Sequence, residues 1–255
     1  QAALDKGRHS IFVSPADYGN LCRVQVEQGN LNGALDTLKK NKDSLQLAPE
    51  GQLVTAVIQS MVHSRSGQAD LARRALDEAG RLRGEGVHGD GRLMLDLADS
   101  CMTQGRNEES DAIIGEVAKN AHDSEALLSK AREIYARCGR AADGEELLKK
   151  ATADVRKLNN EGVYLAQKGD FDGAVSRLLT AAKEAPYNPR ILMNAAWVLL
   201  RDADQNGLKE GGLQEAKRLL DEVERLAPGH SRLPGLRSQV REIEARYGIS
   251  RRPHP

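Results

Sequence analysis

The chain has 255 residues, 40% of them apolar and 29% charged, with 37 basic and 37 acidic side chains. A net charge of zero argues against a dedicated nucleic-acid or anionic-membrane binder, and this apolar share argues against wholesale disorder. No apolar run is long enough to cross a bilayer, and an aromatic content of 3% leaves little material for base-stacking platforms or sugar-binding floors.

The chain opens Gln1-Ala-Ala-Leu-Asp-Lys, with no initiating Met and no signal-peptide pattern, and reads as the cut edge of a longer protein. From about Pro15 onward one phrase keeps returning. Gln28-Gly29-Asn30-Leu31-Asn32-Gly33-Ala34 comes back in altered form around Gly67, Gly105, Gly139 and Gly169, at spacings of 38, 38, 34 and 30 residues. Each glycine follows one amphipathic segment and precedes another, which is the place where a helix end needs a left-handed residue. Five residues after each glycine stands a small residue (Ala34, Ala72, Ser110, Gly144, Ala174), where two helices can cross closely. Four further on stands an aliphatic one: Leu38, Leu76, Ile114, Leu148, Leu178. The unit is a helix–turn–helix, repeated.

No proline lies between Pro49 and Pro186, so nothing there forces a helix to break. The glycine-rich stretch Gly84 to Gly91 lacks a preceding strand and a phosphate-binding Lys, and reads as the loop between units two and three. No turn signal lies between Glu145 and Gln167. One long helix is expected there, shared by unit four and unit five, dividing the array into two superhelical segments. A sixth unit runs from Pro189 to Pro228, with its turn enlarged over Asp202 to Gly212. A capping helix follows over Leu233 to Tyr247, and then a tail.

These residues resemble the tetratricopeptide repeat family. The clearest copy runs from Leu158 to Pro186. It carries a small residue in the first helix (Gly162), the turn glycine (Gly169), an aromatic after it (Phe171), the pair Ala174 and Ala181, and the closing proline Pro186. Unit six carries Ala196, Ala216, Leu220 and Val223 in the corresponding places. Units one to four lack the early aromatic, apart from Tyr18, and the closing proline, to which Pro49 stands nearest. The resemblance implies an all-α, right-handed α-solenoid of about six repeats with a C-terminal capping helix. Its expected divisions are 1–152 for degenerate repeats one to four, 153–248 for repeats five and six with the cap, and 249–255 for the tail. A narrower resemblance rests on Asn160-Glu-Gly, on Asn188-Pro-Arg-Ile-Leu-Met-Asn-Ala-Ala, on the enlarged turn and on Tyr247-Gly-Ile. It is to the C-terminal repeat region of bacterial receiver-domain response regulators.

Chemistry-bearing motifs are few. Cys22, Cys101 and Cys138 are far apart and form no CxxC pair, so they read as reduced, buried thiols of a cytoplasmic protein rather than a zinc site or disulfide framework. The six histidines show no HxxxH or HExxH spacing, and no Walker A, GxSxG or GxGxxG follows a strand-like run. Asp202-Ala-Asp204-Gln-Asn206-Gly207 looks like the first half of a calcium loop, but its twelfth position, which needs a bidentate carboxylate, is Leu213. It reads instead as a polar Asn-Gly turn. No metal and no cofactor is expected, and no enzyme.

The groove residues expected from the repeat register come from the first helix of each unit. Unit five offers Arg156, Asn159, Asn160, Val163 and Gln167, unit six offers Arg190, Met193, Asn194, Trp197 and Arg201, and unit four adds Lys130, Glu133 and Arg137. The expected partner-binding set is Arg156, Asn160, Met193, Asn194, Trp197 and Arg201. Asn160 and Asn194 are equivalent positions. Two amides in register either hold a peptide backbone, donating to a carbonyl and accepting from an N–H, or bridge neighbouring repeats. Trp197 and Met193 are either groove anchors or core packing. The arginines from Arg232 to Arg252 form a basic strip that reads as a solvated face or a weak acidic contact. The family's carboxylate-clamp lysines are absent.

The expectation is therefore a protein or peptide partner in a concave groove, with no nucleic acid and no membrane; self-pairing stays open. The expected role is a non-enzymatic interaction scaffold, the output or regulatory arm of a bacterial signalling protein. The alternatives are an assembly or co-chaperone-type adaptor of pilus or secretion systems, and a regulatory domain attached to an enzyme.

Overall fold

The computed structural model of the chain describes residues 14–249. The ends, including Arg251 and Arg252 of the basic strip and the tail from residue 250, lie outside the described residues. Among the described residues the structure is helical throughout, with thirteen helices and no strand. None of these helices is long and apolar enough to cross a membrane.

The turns explain why this sequence folds as helix pairs. At Gly169, φ is +84°, a conformation that costs glycine nothing and an L side chain about 1–2 kcal/mol. The Gly169 N–H donates to the Ala166 carbonyl at 3.1 Å and the Asp170 N–H to the Leu165 carbonyl at 3.0 Å, which satisfies carbonyls a helix end otherwise leaves bare. Asp170 then caps the next helix, its Oδ1 accepting from the Gly173 N–H at 2.9 Å. One residue thus closes one helix and opens another. Gly29, Gly67, Gly105 and Gly139 all have positive φ as well, with the same two backbone hydrogen bonds around each. The small residues five positions on are enclosed: Ala34, Ala72, Ser110 and Ala174 have no exposed surface. At Gly144 a Cβ would stand 2.5 Å from Cγ of Tyr135.

The chain forms two compact units, residues 14–117 with 129–145, and residues 118–128 with 146–249. The first contains α1 (Pro15–Glu27), α2 (Leu31–Lys40), α3 (Lys42–Gln46), α4 (Pro49–Arg65), α5 (Ala69–Gly84) and α6 (Gly91–Thr103), with most of α7 (Asn107–Asn120) and α8 (Glu125–Arg137). Helix α1 starts from a capping box, in which the Asp17 N–H donates to Ser14 Oγ and the Ser14 N–H to Asp17 Oδ2, followed by Pro15 in the first turn. Helices α1, α5 and α6 all pack on α4. Leu53, Val57 and Ile58 of α4 are enclosed there with Leu76 of α5 and Leu95 and Leu97 of α6, each full burial contributing about 1.5–3 kcal/mol. Arg23 of α1 reaches Asp96 of α6, forming an ion pair with both side chains buried.

Two expectations for this unit need correction. Helix α3 has no counterpart in the sequence reading. It is a five-residue helix with no side-chain cap, admitted because Gly51 of α4 lets its backbone press close; a Cβ there would lie 2.1 Å from the Leu45 carbonyl oxygen. The cysteines also differ among themselves: all three are free and Cys22 and Cys101 are buried, but Cys138, at the turn after α8, is exposed.

Helix α9 (Ala141–Gln167) spans 27 residues and covers the segment read as one long helix. Its portion from residue 146 lies in the second unit, with α10 (Phe171–Glu184), α11 (Pro189–Asn206), α12 (Gly212–Leu226) and α13 (Leu233–Arg246). Helix α11 packs against α10, α12 and α13. Its Ile191, Met193, Val198 and Leu200 meet Leu178 of α10, Leu220 and Val223 of α12, and Leu236, Val240 and Ile243 of α13 in one apolar core. The last three residues are the capping-helix positions read from the sequence.

The enlarged turn is shorter than expected. Asp202 to Asn206 still belong to α11, and the turn begins at Gly207. The Asp202 carboxylate is buried, pairs with Lys209 Nζ at 2.8 Å and accepts from Asn206 Nδ2 at 2.8 Å. Asp204 pairs with Arg246 at 2.6 Å. These polar side chains are thus engaged, Asp202 with Asn206 and Lys209, and Asp204 with Arg246 of the last described helix.

Candidate functional site

The second unit carries an open hollow of about 380 Å³ lined by Asn159, Asn160, Val163, Tyr164, Gln167, Arg190, Asn194 and Arg232. The helical period builds it. Positions 159, 160, 163, 164 and 167 share one face of α9, and 190 and 194 are one turn apart on α11. Arg232 comes from the residue preceding α13.

An amide chain crosses the hollow. Asn194 Nδ2 donates to Asn159 Oδ1 at 3.0 Å, and Asn159 Nδ2 donates to Asn160 Oδ1 at 3.4 Å. Arg232 Nη1 donates to Asn194 Oδ1 at 3.3 Å. Asn159 and Asn194 are 8% and 9% exposed, so their amides are committed to the protein. Asn160, Gln167, Arg190 and Arg232 are exposed, as is Tyr164 at 58%. Lys168 Nζ lies 5.6 Å from the centre of the Tyr164 ring, which brings a further cation to the rim. No carboxylate of the described residues lines the hollow.

Asn188 fixes the α11 end of this wall. Its Oδ1 caps the helix by accepting from the Ile191 N–H at 3.0 Å, while its Nδ2 donates to the Asn120 carbonyl at 2.7 Å and to Asp123 Oδ1 at 3.1 Å. Arg190 stands 3.6 Å from Asp123, a loose ion pair.

The predicted residues divide. Asn160 and Asn194 meet in the hollow, with Asn159, Val163, Gln167 and Arg190 of the wider groove set. Of the two readings for the paired amides, Asn194 takes the bridging one, and Asn160 keeps an exposed position beside it. Met193 is corrected: it has no exposed surface and packs in the apolar core, because it points to the face of α11 opposite the solvent. Trp197 is half-buried against the same core and does not line the hollow. Arg201 is exposed, one turn beyond Trp197, and also lies outside the lining. Arg156 is exposed, but its guanidinium donates to the His122 carbonyl. Lys130, Glu133 and Arg137 belong to the first unit, where Arg137 pairs with Asp99.

Tyr164 and Arg232 were missed. Tyr164 lies four residues after Asn160 and three before Gln167, on their face of α9, a signal the 3.6-residue period contained. Arg232 was read only as part of a basic strip, since nothing local places the start of α13 beside Asn194.

A larger hollow, of about 640 Å³, lies between α9 and α10. Its apolar floor includes Leu147, Ala151, Val155 and Leu158; of its rim charges, Lys119 pairs with Glu184 at 2.9 Å and Arg177 with Glu161 at 3.6 Å, while Lys150, Asp154 and Lys157 also line it.

No family model and no curated protein matches the chain. Among solved structures, it is similar to the apo form of the quorum sensor NprR from B. thuringiensis. That likeness covers 91% of this chain and 70% of the other, at 13% identity and a TM-score of 0.36.

Proposed function

We propose that the chain is a non-enzymatic interaction scaffold built of tetratricopeptide-like helix pairs, and that the hollow between α9 and α11 receives a peptide segment of a partner. The observation that carries this reading is the lining itself: exposed amides at Asn160 and Gln167, an exposed phenol at Tyr164, an apolar wall at Val163, and two guanidinium groups, with no acid among them. Amides match both groups of a peptide bond, and aromatic and arginine side chains dominate binding energy at interfaces. The same side chains are poor nucleophiles and poor general bases, which supports binding over catalysis. The residues that resemble receiver-domain response regulators, Asn160-Glu-Gly and Asn188-Pro-Arg, border this hollow. They support placing the scaffold as the output or regulatory arm of a cytoplasmic bacterial signalling protein.

The test is selection of binders from a random heptapeptide library on the purified chain, followed by calorimetry. Asn160→Ala and Gln167→Ala are each expected to weaken the selected peptides by about 0.5–1.5 kcal/mol with helicity unchanged. Selected peptides that bind both variants as tightly as the original chain overturn the reading.

A further inference from the structure

We propose that a second hollow, in the first unit where α1, α4 and the start of α6 meet, binds a small, uncharged apolar molecule that carries a carbonyl group, and that Arg23 donates to that carbonyl. The inference goes beyond the interaction reading and does not rest on it. The hollow measures about 300 Å³, at the lower end of ligand sites. Its apolar walls are Pro15, Ala16, Gly19, Ala48, Val54 and Leu93. The helical period assembles them. Pro15, Gly19 and Arg23 follow one another by a turn along α1, and Glu50 and Val54 do the same on α4. Small residues keep the space open. Gly19 leaves the α1 backbone bare, and a Cβ there would stand 3.3 Å from Cγ1 of Val54.

Arg23 supplies the polar group of this apolar hollow. Its side chain lines the space although the residue is only 4% exposed. A guanidinium carries five N–H donors. Here Nε donates to Asp96, and Nη1 donates to Asn20 Oδ1 at 2.6 Å. Nη2 has no acceptor among the described residues. It is not sealed in the core either, since the one fully enclosed side-chain nitrogen without a partner among those residues is Nε of Arg83. An oxygen of a bound molecule would supply the acceptor that the fold leaves out. The neighbouring charges set what kind of oxygen it is. Asp96 already answers the guanidinium charge. Glu50 and Asp90 also line the hollow, both exposed and neither in an ion pair among the described residues. His88, on the same wall, has Glu116 at 3.5 Å. An entering anion would lose its hydration and meet these carboxylates with no cation left to itself, whereas a carbonyl oxygen accepts from Nη2 without that cost.

The probes are acetophenone and benzoate, which share one shape and differ in charge. Each is titrated into the full, nitrogen-15-labelled chain, and the backbone amide signals of Ala16, Gly19, Val54 and Leu93 are followed by nuclear magnetic resonance. Acetophenone is expected to shift these signals to saturation and to bind about tenfold or more tightly than benzoate. Ala16→Phe, at an exposed position on the wall, is expected to abolish binding with the melting temperature unchanged. Arg23→Met with Asp96→Leu removes the donor and its counter-charge together, and is expected to weaken acetophenone about two- to tenfold. Should that double variant fail to fold, Ala16→Phe and the comparison of the two probes decide. Benzoate bound as tightly as acetophenone, acetophenone shifts that miss these four residues, or binding that survives Ala16→Phe overturns the inference. None of these outcomes touches the peptide reading of the hollow in the second unit.

Discussion

Asp96 shows how much a single buried side chain can carry. Burial pushes its carboxyl up from the usual range, and Arg23 pulls it down less strongly. The ionised form is therefore disfavoured in the fold, and what this group contributes to stability shrinks as pH rises through the folded pKa. Asp96→Ala would leave a guanidinium enclosed without its partner, and a loss of about 3–5 kcal/mol is expected from denaturant midpoints. Replacing both partners, Arg23→Met with Asp96→Leu, is expected to restore most of it; a double variant as unstable as the single one would show that the pair itself holds α1 to α6. The cysteines give a simpler residue-scale test. Burial pushes the Cys22 thiol up to about 11 and the Cys101 thiol up to about 12, which suppresses their thiolates near neutral pH. Titration of the native chain with a thiol reagent is expected to find one fast-reacting group, lost in Cys138→Ser; two or more fast groups would refute this.

At the scale of elements, the turns and the core helix make separate predictions. Around Gly169 a Cβ would meet nothing within 4 Å, so Gly169→Val tests backbone strain free of steric clash. It is expected to cost about 1–2 kcal/mol, read as a lowered urea midpoint; an unchanged midpoint would mean the turn can relax to negative φ. Trp197→Ala removes a half-buried ring from the core of the second unit and is expected to cost about 3 kcal/mol, the lower limit for such truncations. Peptide affinity should stay the same, because the ring does not line the hollow; a loss of affinity in a folded variant would return Trp197 to the groove. These elements also mark what was legible. Turn glycines, small crossing residues and the aliphatic stripe obey local rules, so the helix pairs and the long α9 could be read from spacing alone. Helix α3 has no cap and depends on a tertiary gap at Gly51. The split between Met193, enclosed, and Asn194, at the hollow, turns on about 100° of helix rotation, which a register known to within one residue does not resolve. Arg232 was out of reach because its place depends on how α13 lies on α11.

For the whole molecule, the far-ultraviolet circular dichroism spectrum is expected to be that of a helical protein, with no substantial strand component. Stability in stacked helix pairs comes from near neighbours, and the two compact units each have their own core. The chain has one Trp, which lies in the second unit, so its fluorescence follows that unit while dichroism follows both. With Asp96→Ala weakening the first unit, urea unfolding is expected to show early loss of helicity ahead of the fluorescence change. Coincident curves would show that the two units melt as one.

The double duty of residues such as Asp170 has a practical consequence for anyone splicing into this chain. A three-residue turn whose last residue both finishes one helix and begins the next has no spare link. An insertion at Gly29 or Gly169, where Asn30 and Asp170 cap the following helix, pulls apart both jobs at once. The turn from Gly207 to Gly211 is built differently. It is longer, it has positive φ at both ends, and Gly211 opens α12 without a side-chain cap. A fluorescent reporter or affinity tag placed between Glu210 and Gly211 would interrupt no shared punctuation, which makes that joint the chain's natural port for grafted cargo.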